Sequence, residues 1–363
     1  MSSPAVVFLD DAPPRRDLLG GKGYGLVRLS VAGLRVPPGF VVTTAAYRAA
    51  IPDALRRQIR YRLEGVAPDA PVGDVDRVTA EIRAGIVDAT AQHDGRGAVD
   101  EAYARLSERC GTEAAVAVRS SSAAEDAADR SFAGEHDTFL WVRGAEDVQR
   151  RVRDCWASLF TTRAVHYARG LAGGAVEPAM AVVVQQMVPA RSAGVFLTLN
   201  PLNGDRSKVV IESVWGLGEP LVSGQVDPDR FLVDKVTGEI LRRDVVVKPT
   251  RLVTDPGSGR GTAVAAVTDA DQQQPSLSDP EIGELVRLAR LVERDAGRPQ
   301  DGEFATEDGA APGNVFLVQA RPETAWSHRA PQPVAAGKTA MDAILGTLSG
   351  FGRGGSDPLQ RGG

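Results

Sequence analysis

Lys22 lies in a glycine-rich stretch, LLGGKGYGLVRLSVAGL at residues 18–34, that runs directly into an apolar periodic segment. A helix N-terminus favours anions and glycine lets a ligand approach the backbone closely, so the stretch indicates phosphate binding. Two familiar phosphate loops do not match it. Arg16 and Gly23 stand where a P-loop needs glycine and serine or threonine, and Leu26 stands where a dinucleotide fingerprint needs its third glycine. Taken alone, the stretch fits a flexible turn before a helix equally well.

A second candidate is Arg119, in AVAVRSSSAAEDAADRSFAGEHDTFLWV at residues 115–142. The pattern predicts that Arg119 ends an apolar strand and opens a loop of small polar residues, where a fixed guanidinium can clamp a phosphate. The loop continues through Gly134 to Thr138, and its small residues can lie over a polyphosphate. A surface loop with an exposed arginine is the alternative. The serines at 120–122 lack a G-x-S-x-G context and an oriented base, so we interpret them as loop hydrogen-bonding residues.

Polar residues also alternate in two strands predicted near the end of the chain. Asp301 and Glu303 share one face of the first strand by period two, and Gln319 and Arg321 share one face of the second. Carboxylate and amide oxygens suit Mg²⁺, and an arginine matches the charge of nucleotide phosphates. Solvated strand ends are the alternative, because charged residues are mostly exposed.

Composition limits the kinds of partner. The chain has 363 residues, 43% of them hydrophobic and 25% charged, as in an ordinary globular protein with a substantial core. A net charge of −5 with scattered basic residues argues against nucleic acid and favours a small phosphorylated ligand. Cys110 and Cys155 form no metal or disulfide pattern, and neither a leader nor a membrane-length apolar run is present. We therefore expect a cytoplasmic protein without a membrane partner.

The elements that must position these residues change character near residue 175. Helical periodicity dominates before it, whereas short strands rich in valine and isoleucine dominate after it. This organisation predicts a mixed α/β (α+β) fold of two lobes over residues 1–326, with a ligand cleft between them. Residues 327–363 include the glycine-rich run GFGRGGSDPLQRGG, so we expect them to form a linker and a disordered tail.

The order of the motifs adds specificity. GGKGYGL, VPPGFVVT, VAVRSSSAAEDAADRSFAGEHDTFL, VQQMVPARSAGVFLTLNPLNGD, VVIESVWGLGEPLVSGQVDPDRFLVDK and VFLVQARPET occur in that sequence. Together they resemble the N-terminal ATP-binding domain of the family that contains phosphoenolpyruvate synthase, pyruvate phosphate dikinase and rifampin phosphotransferase. The resemblance covers about residues 5–326. It implies an ATP-grasp-type fold that holds ATP between its lobes and acts as an ATP-dependent phosphotransferase.

The resemblance also implies roles for individual residues. Lys22 matches the phosphate-binding lysine, Arg119 the arginine that stabilises transferring phosphoryl groups, and Arg321 the arginine of the Q-x-R-P signature. Glu303 and Gln319 match the Mg²⁺-binding pair. The remaining matches are the phosphate-covering loop and the inter-lobe segment that holds adenine, which correspond to Gly134 and Thr138 and to Gln185, Gln186, Met187 and Val188.

Two features depart from the family pattern. Gly302 takes a place usually filled by a bulky apolar residue, and EDGAAPGN lengthens the connection between Glu303 and Gln319. Both bear on the geometry of the expected metal pair.

Family members continue into a domain whose T-x-H motif carries a phosphoryl-accepting histidine, and the sequence stops at residue 363. His328 follows Q-A-R-P-E-T in the predicted linker, so we interpret it as a linker residue. We therefore expect an ATP-binding subunit that passes phosphoryl from ATP to a histidine on a partner protein, and from there to a small-molecule acceptor. The alternatives are a kinase or ligase that phosphorylates a small molecule directly, and a nucleotide-binding scaffold without chemistry.

Overall fold

A computed structural model describes residues 3–67, 69–91, 96–122, 138–162, 164–165, 179–324 and 326. The chain divides into a compact unit, Met1–Thr324, and a second unit, Ala325–Gly363. The predicted linker and tail at residues 327–363 lie outside the described residues.

The first lobe is built on a five-stranded antiparallel sheet with the strand order β1-β2-β5-β3-β4. Its strands are β1 (Val6–Phe8), β2 (Gly39–Val42), β3 (Val116–Ser122), β4 (Thr138–Val142) and β5 (Met180–Gln186). The helices of this lobe are α1 (Arg16–Val31), α2 (Thr44–Ala50), α3 (Asp53–Glu64), α4 (Val72–Thr90), α5 (Arg96–Cys110) and α6 (Ala145–Ala157).

The second lobe is built on a six-stranded antiparallel sheet with the order β13-β12-β6-β7-β8-β9. Its strands are β6 (Ser192–Leu197), β7 (Lys208–Trp215), β8 (Asp229–Asp234), β9 (Ile240–Asp244), β12 (Gln300–Thr306) and β13 (Val315–Pro322). A separate hairpin, β10 (Thr250–Thr254) and β11 (Thr262–Ala266), and two helices, α7 (Glu219–Val222) and α8 (Asp279–Ala296), complete it.

Strand β5 is buried on both faces, which explains its unbroken apolar sequence MAVVV. Val182 and Val184 pack in the core beneath α4, α5 and α6, whereas Ala181 and Val183 face the opposite core, which contains α1. Because β5 pairs with β2 and β3, the chain leaves the first sheet only after Gln186, later than the predicted change near residue 175.

Helix α8 packs on the second sheet and has strong signals at both ends. Ser278 and Glu281 form a capping box at its N-terminus, and Gly297 adopts the left-handed conformation that ends it. Its apolar face, including Leu285 and Ala289, is fully buried against the sheet. Across the described ranges, no helix is both long and apolar enough to cross a membrane.

The two sheets and their helices confirm the predicted mixed α and β fold, which is consistent with a nucleotide-binding architecture of the ATP-grasp type. The segment that joins the lobes is held at both ends by backbone hydrogen bonds. Met187 N donates to Ala115 O in the first lobe, and Arg191 N donates to Thr306 O in the second.

Candidate functional site

Two cavities adjoin at the second sheet: the first lies between the two sheets, and the second is lined by residues of the second lobe. The first has a volume of about 280 Å³ and mostly apolar walls. Seven of the residues selected from the sequence line it, namely Arg119, Thr138, Gln185, Gln186, Met187, Val188 and Glu303. This combination of an apolar pocket with a few charged groups at one side is typical of a small-molecule site.

The second cavity has a volume of about 260 Å³ and is lined by Asp301, Glu303, Gln319 and Arg321 together with apolar residues of β6 and α7. Glu303 and Val222 line both cavities. Glu303 therefore stands at the junction of two cavities, which we call the apolar cavity and, for the four polar or charged side chains in its lining, the polar cavity.

Arg119 connects the two sheets at this junction. Its Nη2 donates to Glu303 Oε2 at 2.7 Å, and its Nη1 donates to the carbonyl oxygen of Val318 at 3.0 Å. The Arg119 side chain is 13% exposed, and its Nε has no hydrogen-bond acceptor among the described residues. Strand β3 continues to Ser122, so Arg119 lies within the strand and not at its end as the sequence predicted.

A β-bulge in β13 supplies the Val318 carbonyl. Glu303 pairs with Gln319, whereas Phe304 pairs with Leu317, so Val318 is an extra residue outside the regular ladder. Gln319 is 6% exposed, and no donor in the described part of the chain reaches its Oε1. A carboxylate and an unsatisfied carboxamide oxygen thus face each other on neighbouring strands.

Phe196 accounts for the unusual glycine at position 302. Phe196 pairs with Gly302 across β6 and β12, and a Cβ on Gly302 would lie 2.1 Å from its ring. The phenyl ring therefore fills the space that a bulky side chain at 302 would need. The Glu303–Gln319 register is kept despite this departure and the longer connection at residues 307–314.

Asp301 is the residue in this cavity with the most perturbed acidity. Burial raises its pKa to about 6, although Arg321 opposes the shift. Arg321 Nε is 3.8 Å from Asp301 Oδ2, beyond hydrogen-bond distance, and Oδ1 has no donor within the described ranges. A cleft carboxyl group whose pKa is raised in this way is a candidate for a functional role.

Lys22 is not among the residues that line the two cavities. It follows a break in α1 at Gly20, where φ is 69° and ψ is −176°. A Cβ on Gly20 would lie 2.0 Å from the carbonyl oxygen of Ser121, so only glycine lets this turn rest directly on β3. Gly20 thus serves close packing of this turn on the sheet.

The family model for the pyruvate phosphate dikinase AMP/ATP-binding domain matches residues 16–341. The chain belongs to this family. It is 42% identical over 325 residues to a probable phosphoenolpyruvate synthase of Methanocaldococcus jannaschii, covering 88% of this chain and 26% of the relative. It is 40% identical over 306 residues to the prodigiosin synthesizing transferase PigC of Serratia marcescens, covering 84% of this chain and 31% of that protein.

A rifampicin phosphotransferase of Streptomyces sviceus is 41% identical over 312 residues, covering 85% of this chain and 34% of the relative. The matched part thus spans about a quarter to a third of the length of these three proteins, whose names refer to different compounds. The predicted superfamily is confirmed.

The donor set of this AMP/ATP-binding domain fits Mg²⁺ that arrives with a nucleotide. No group of three or more His, Cys, Asp or Glu side chains that could hold a metal occurs in the described part of the domain. Mg²⁺ typically takes one or two carboxylates and completes its coordination with substrate phosphates and water. Glu303 and the unsatisfied Gln319 Oε1 fit that requirement.

Some predicted site residues lie outside the described ranges, and some residues that line the cavities were not predicted. Gly134 and His328 lie outside the described residues. The residues around α7 carry no predicted role, although Leu217, Gly218, Glu219, Val222 and Ser223 line the first cavity. The motif WGLGEPLVS contains them, but nothing in its pattern indicates which residues face a cleft.

Proposed function

We propose that this domain is the ATP-binding part of an ATP-dependent, dikinase-type phosphotransferase, which cleaves ATP and passes phosphoryl to a histidine on a partner protein. The observation that carries the proposal is the junction at Glu303, where an apolar cavity meets a polar one. The apolar cavity suits adenine, and the polar cavity suits the phosphates.

The proposed roles follow from chemistry at that junction. Arg119 and Arg321 carry the positive charge that phosphoryl transfer needs near the reacting phosphates. Lys22, Gly134 and Thr138 bind the phosphates from the first lobe. Mg²⁺ held by Glu303 and Gln319 would neutralise phosphate charge. Residues Gln185 to Val188 contact the base.

The relatives support a phosphoryl acceptor outside this fold. The matched part is less than half of the length of each relative, so further parts of those proteins can carry the acceptor. The histidine nitrogen forms a bond to the β-phosphorus of ATP while the bond to the α-phosphate oxygen breaks, so AMP leaves. Water then removes the terminal phosphoryl group as inorganic phosphate. The remaining phosphohistidine passes its phosphoryl group to a small-molecule acceptor. The cytoplasmic location stays a prediction from the sequence.

Nucleotide products test the proposal. The protein is incubated with Mg-ATP, with and without a polypeptide that carries a T-x-H domain, and the nucleotides are separated by ion-exchange chromatography. We expect AMP and phosphate only with the histidine protein, because transfer needs an acceptor held in line. Glu303→Ala should abolish this production. ADP formation by the protein alone with a small-molecule acceptor would replace the proposal with a direct kinase.

A further inference from the structure

One hydroxyl group closes the turn that carries Lys22. Ser121 Oγ donates to the carbonyl oxygen of Leu19 at 2.8 Å and accepts from the backbone N–H of Gly23 at 3.0 Å. These two bonds span the break at Gly20, and Lys22 lies between them. Because a hydroxyl both donates and accepts, a single serine can hold the two ends of the turn together.

Ser121 also connects this turn to Arg119. The two residues are two apart on β3 and pair with Ala181 and Val183 of β5, which both face α1. Ser121 is fully buried, and the strand backbone fixes its position relative to Arg119. The Lys22 turn is therefore held in register with the arginine that contacts Glu303.

We propose that Ser121 is a positioning residue, which orients the Lys22 turn so that Lys22 reaches the phosphates of the bound nucleotide. The inference rests on the proposed function, because it requires a nucleotide in the cleft. Ser121 acts through Lys22 and does not itself touch the ligand. Its loss leaves Leu19 O and Gly23 N without their partner, so the turn relaxes and Lys22 loses its orientation.

The test separates phosphate binding from base binding. Isothermal titration calorimetry measures the affinity for two probes, adenosine and the Mg²⁺ complex of the non-hydrolysable ATP analogue AMP-PNP. Ser121→Ala should weaken AMP-PNP binding by about tenfold and leave adenosine binding unchanged. The matched control is Ser120→Ala, because Ser120 is equally buried on the same strand but pairs with Val182 and faces the opposite core.

A double-mutant cycle shows whether the effect passes through Lys22. In a Lys22→Ala background, Ser121→Ala should cause no further loss of AMP-PNP affinity. Circular dichroism checks the fold of each variant. If Ser121→Ala does not fold, Ser121→Cys keeps the size of the side chain with a weak donor and acceptor, and the same change is expected in smaller degree.

Three results would overturn the inference. They are an unchanged AMP-PNP affinity in Ser121→Ala, an equal loss of adenosine and AMP-PNP affinity, and losses that add to those of Lys22→Ala. A parent protein that binds neither probe would instead overturn the proposed function, and this inference with it. The two failures are therefore distinguishable.

Discussion

Two groups of carboxylate and carboxamide oxygen atoms in the second lobe differ in how completely they are hydrogen-bonded. Glu281, away from the cleft, accepts hydrogen bonds from Ser278 N and Oγ, Arg191 Nη2 and Asn314 Nδ2. Asp229 accepts from Val246 N, Lys248 Nζ and Ser276 N and Oγ. In the cleft, by contrast, Asp301 Oδ1 and Gln319 Oε1 have no donor from the described residues.

The acidities follow the hydrogen bonds. Burial acts to raise the pKa of Glu281, but the bonds from Ser278 and Arg191 outweigh it and hold that pKa below its ordinary value. Burial raises the pKa of Asp301 without such compensation. Carboxylates that stabilise the fold are saturated with donors, whereas those in the cleft keep oxygen atoms available for a cation or a ligand.

The largest effect is expected where a saturated carboxylate is removed. Asp229→Ala leaves Lys248, which is 3% exposed, as a buried charge without its counter-ion. It should lower the free energy of unfolding by about 3–5 kcal/mol, measured by urea denaturation. Asp301→Ala is the control in the cleft and should cost far less, since few bonds are lost. Equal losses of unfolding free energy in the two variants would show that the hydrogen-bonded carboxylate and the cleft carboxylate do not differ in their contribution to stability.

Asp301→Asn should instead increase stability near neutral pH. A pKa raised from 3.8 to about 6 means that the folded protein binds this proton more tightly than the unfolded chain. The stabilisation of the folded state by this tighter proton binding is therefore fully present below pH 3.8, and it is lost as the pH rises through about 6. Asparagine does not ionise and so avoids that loss. The free energy of unfolding should therefore increase by about 1–3 kcal/mol at neutral pH.

The check is urea denaturation of both proteins across this pH range. The gain should disappear in acid, where the parent carboxyl group is already neutral. A gain that persists unchanged at low pH would show that the Asp301 charge is not its cause.

A smaller effect is expected at Glu303, whose Oε2 accepts a hydrogen bond from Arg119. Arg119→Met should raise the affinity for Mn²⁺ in the absence of nucleotide by about threefold to tenfold, because it frees a carboxylate oxygen and removes a nearby cation. Electron paramagnetic resonance of free Mn²⁺ measures the change. Arg150→Met, at a 55% exposed side chain of α6, is the control. An unchanged affinity in Arg119→Met would contradict competition for Glu303.

Much of the site could be predicted because its signals are local. The period-two spacing of Asp301 and Glu303, and of Gln319 and Arg321, locates polar faces on two strands. The ordered motifs identify the family. The family and the mixed two-lobed fold are confirmed, whereas the roles of the individual residues stay predictions.

Other features depend on contacts between distant parts of the chain. The local sequence predicted Ser121 as a loop residue. It could not indicate the hydrogen bonds of Ser121, because their partners, Leu19 and Gly23, lie about a hundred positions earlier. Strand β5 follows the change in composition, yet it belongs to the first sheet because it pairs with β2 and β3. The sequence predicted the position of Asp301 on its strand. The lack of a donor to its Oδ1 depends instead on how β13 is placed beside that strand.

The extra residue in β13 makes the length of this strand as important as its composition. Leu317 packs in the core beside α8, whereas Val318 and Gln319, which follow it, line the apolar and the polar cavity. An in-frame deletion of Val318 would restore a regular ladder with every amino acid of the signature still present. Leu317 and Gln319 would then be neighbours on opposite faces, but the cleft would lose one apolar side chain of its wall and the carbonyl that holds Arg119. Among homologues, we therefore expect insertions and deletions to avoid this position and to collect in the connection at residues 307–314.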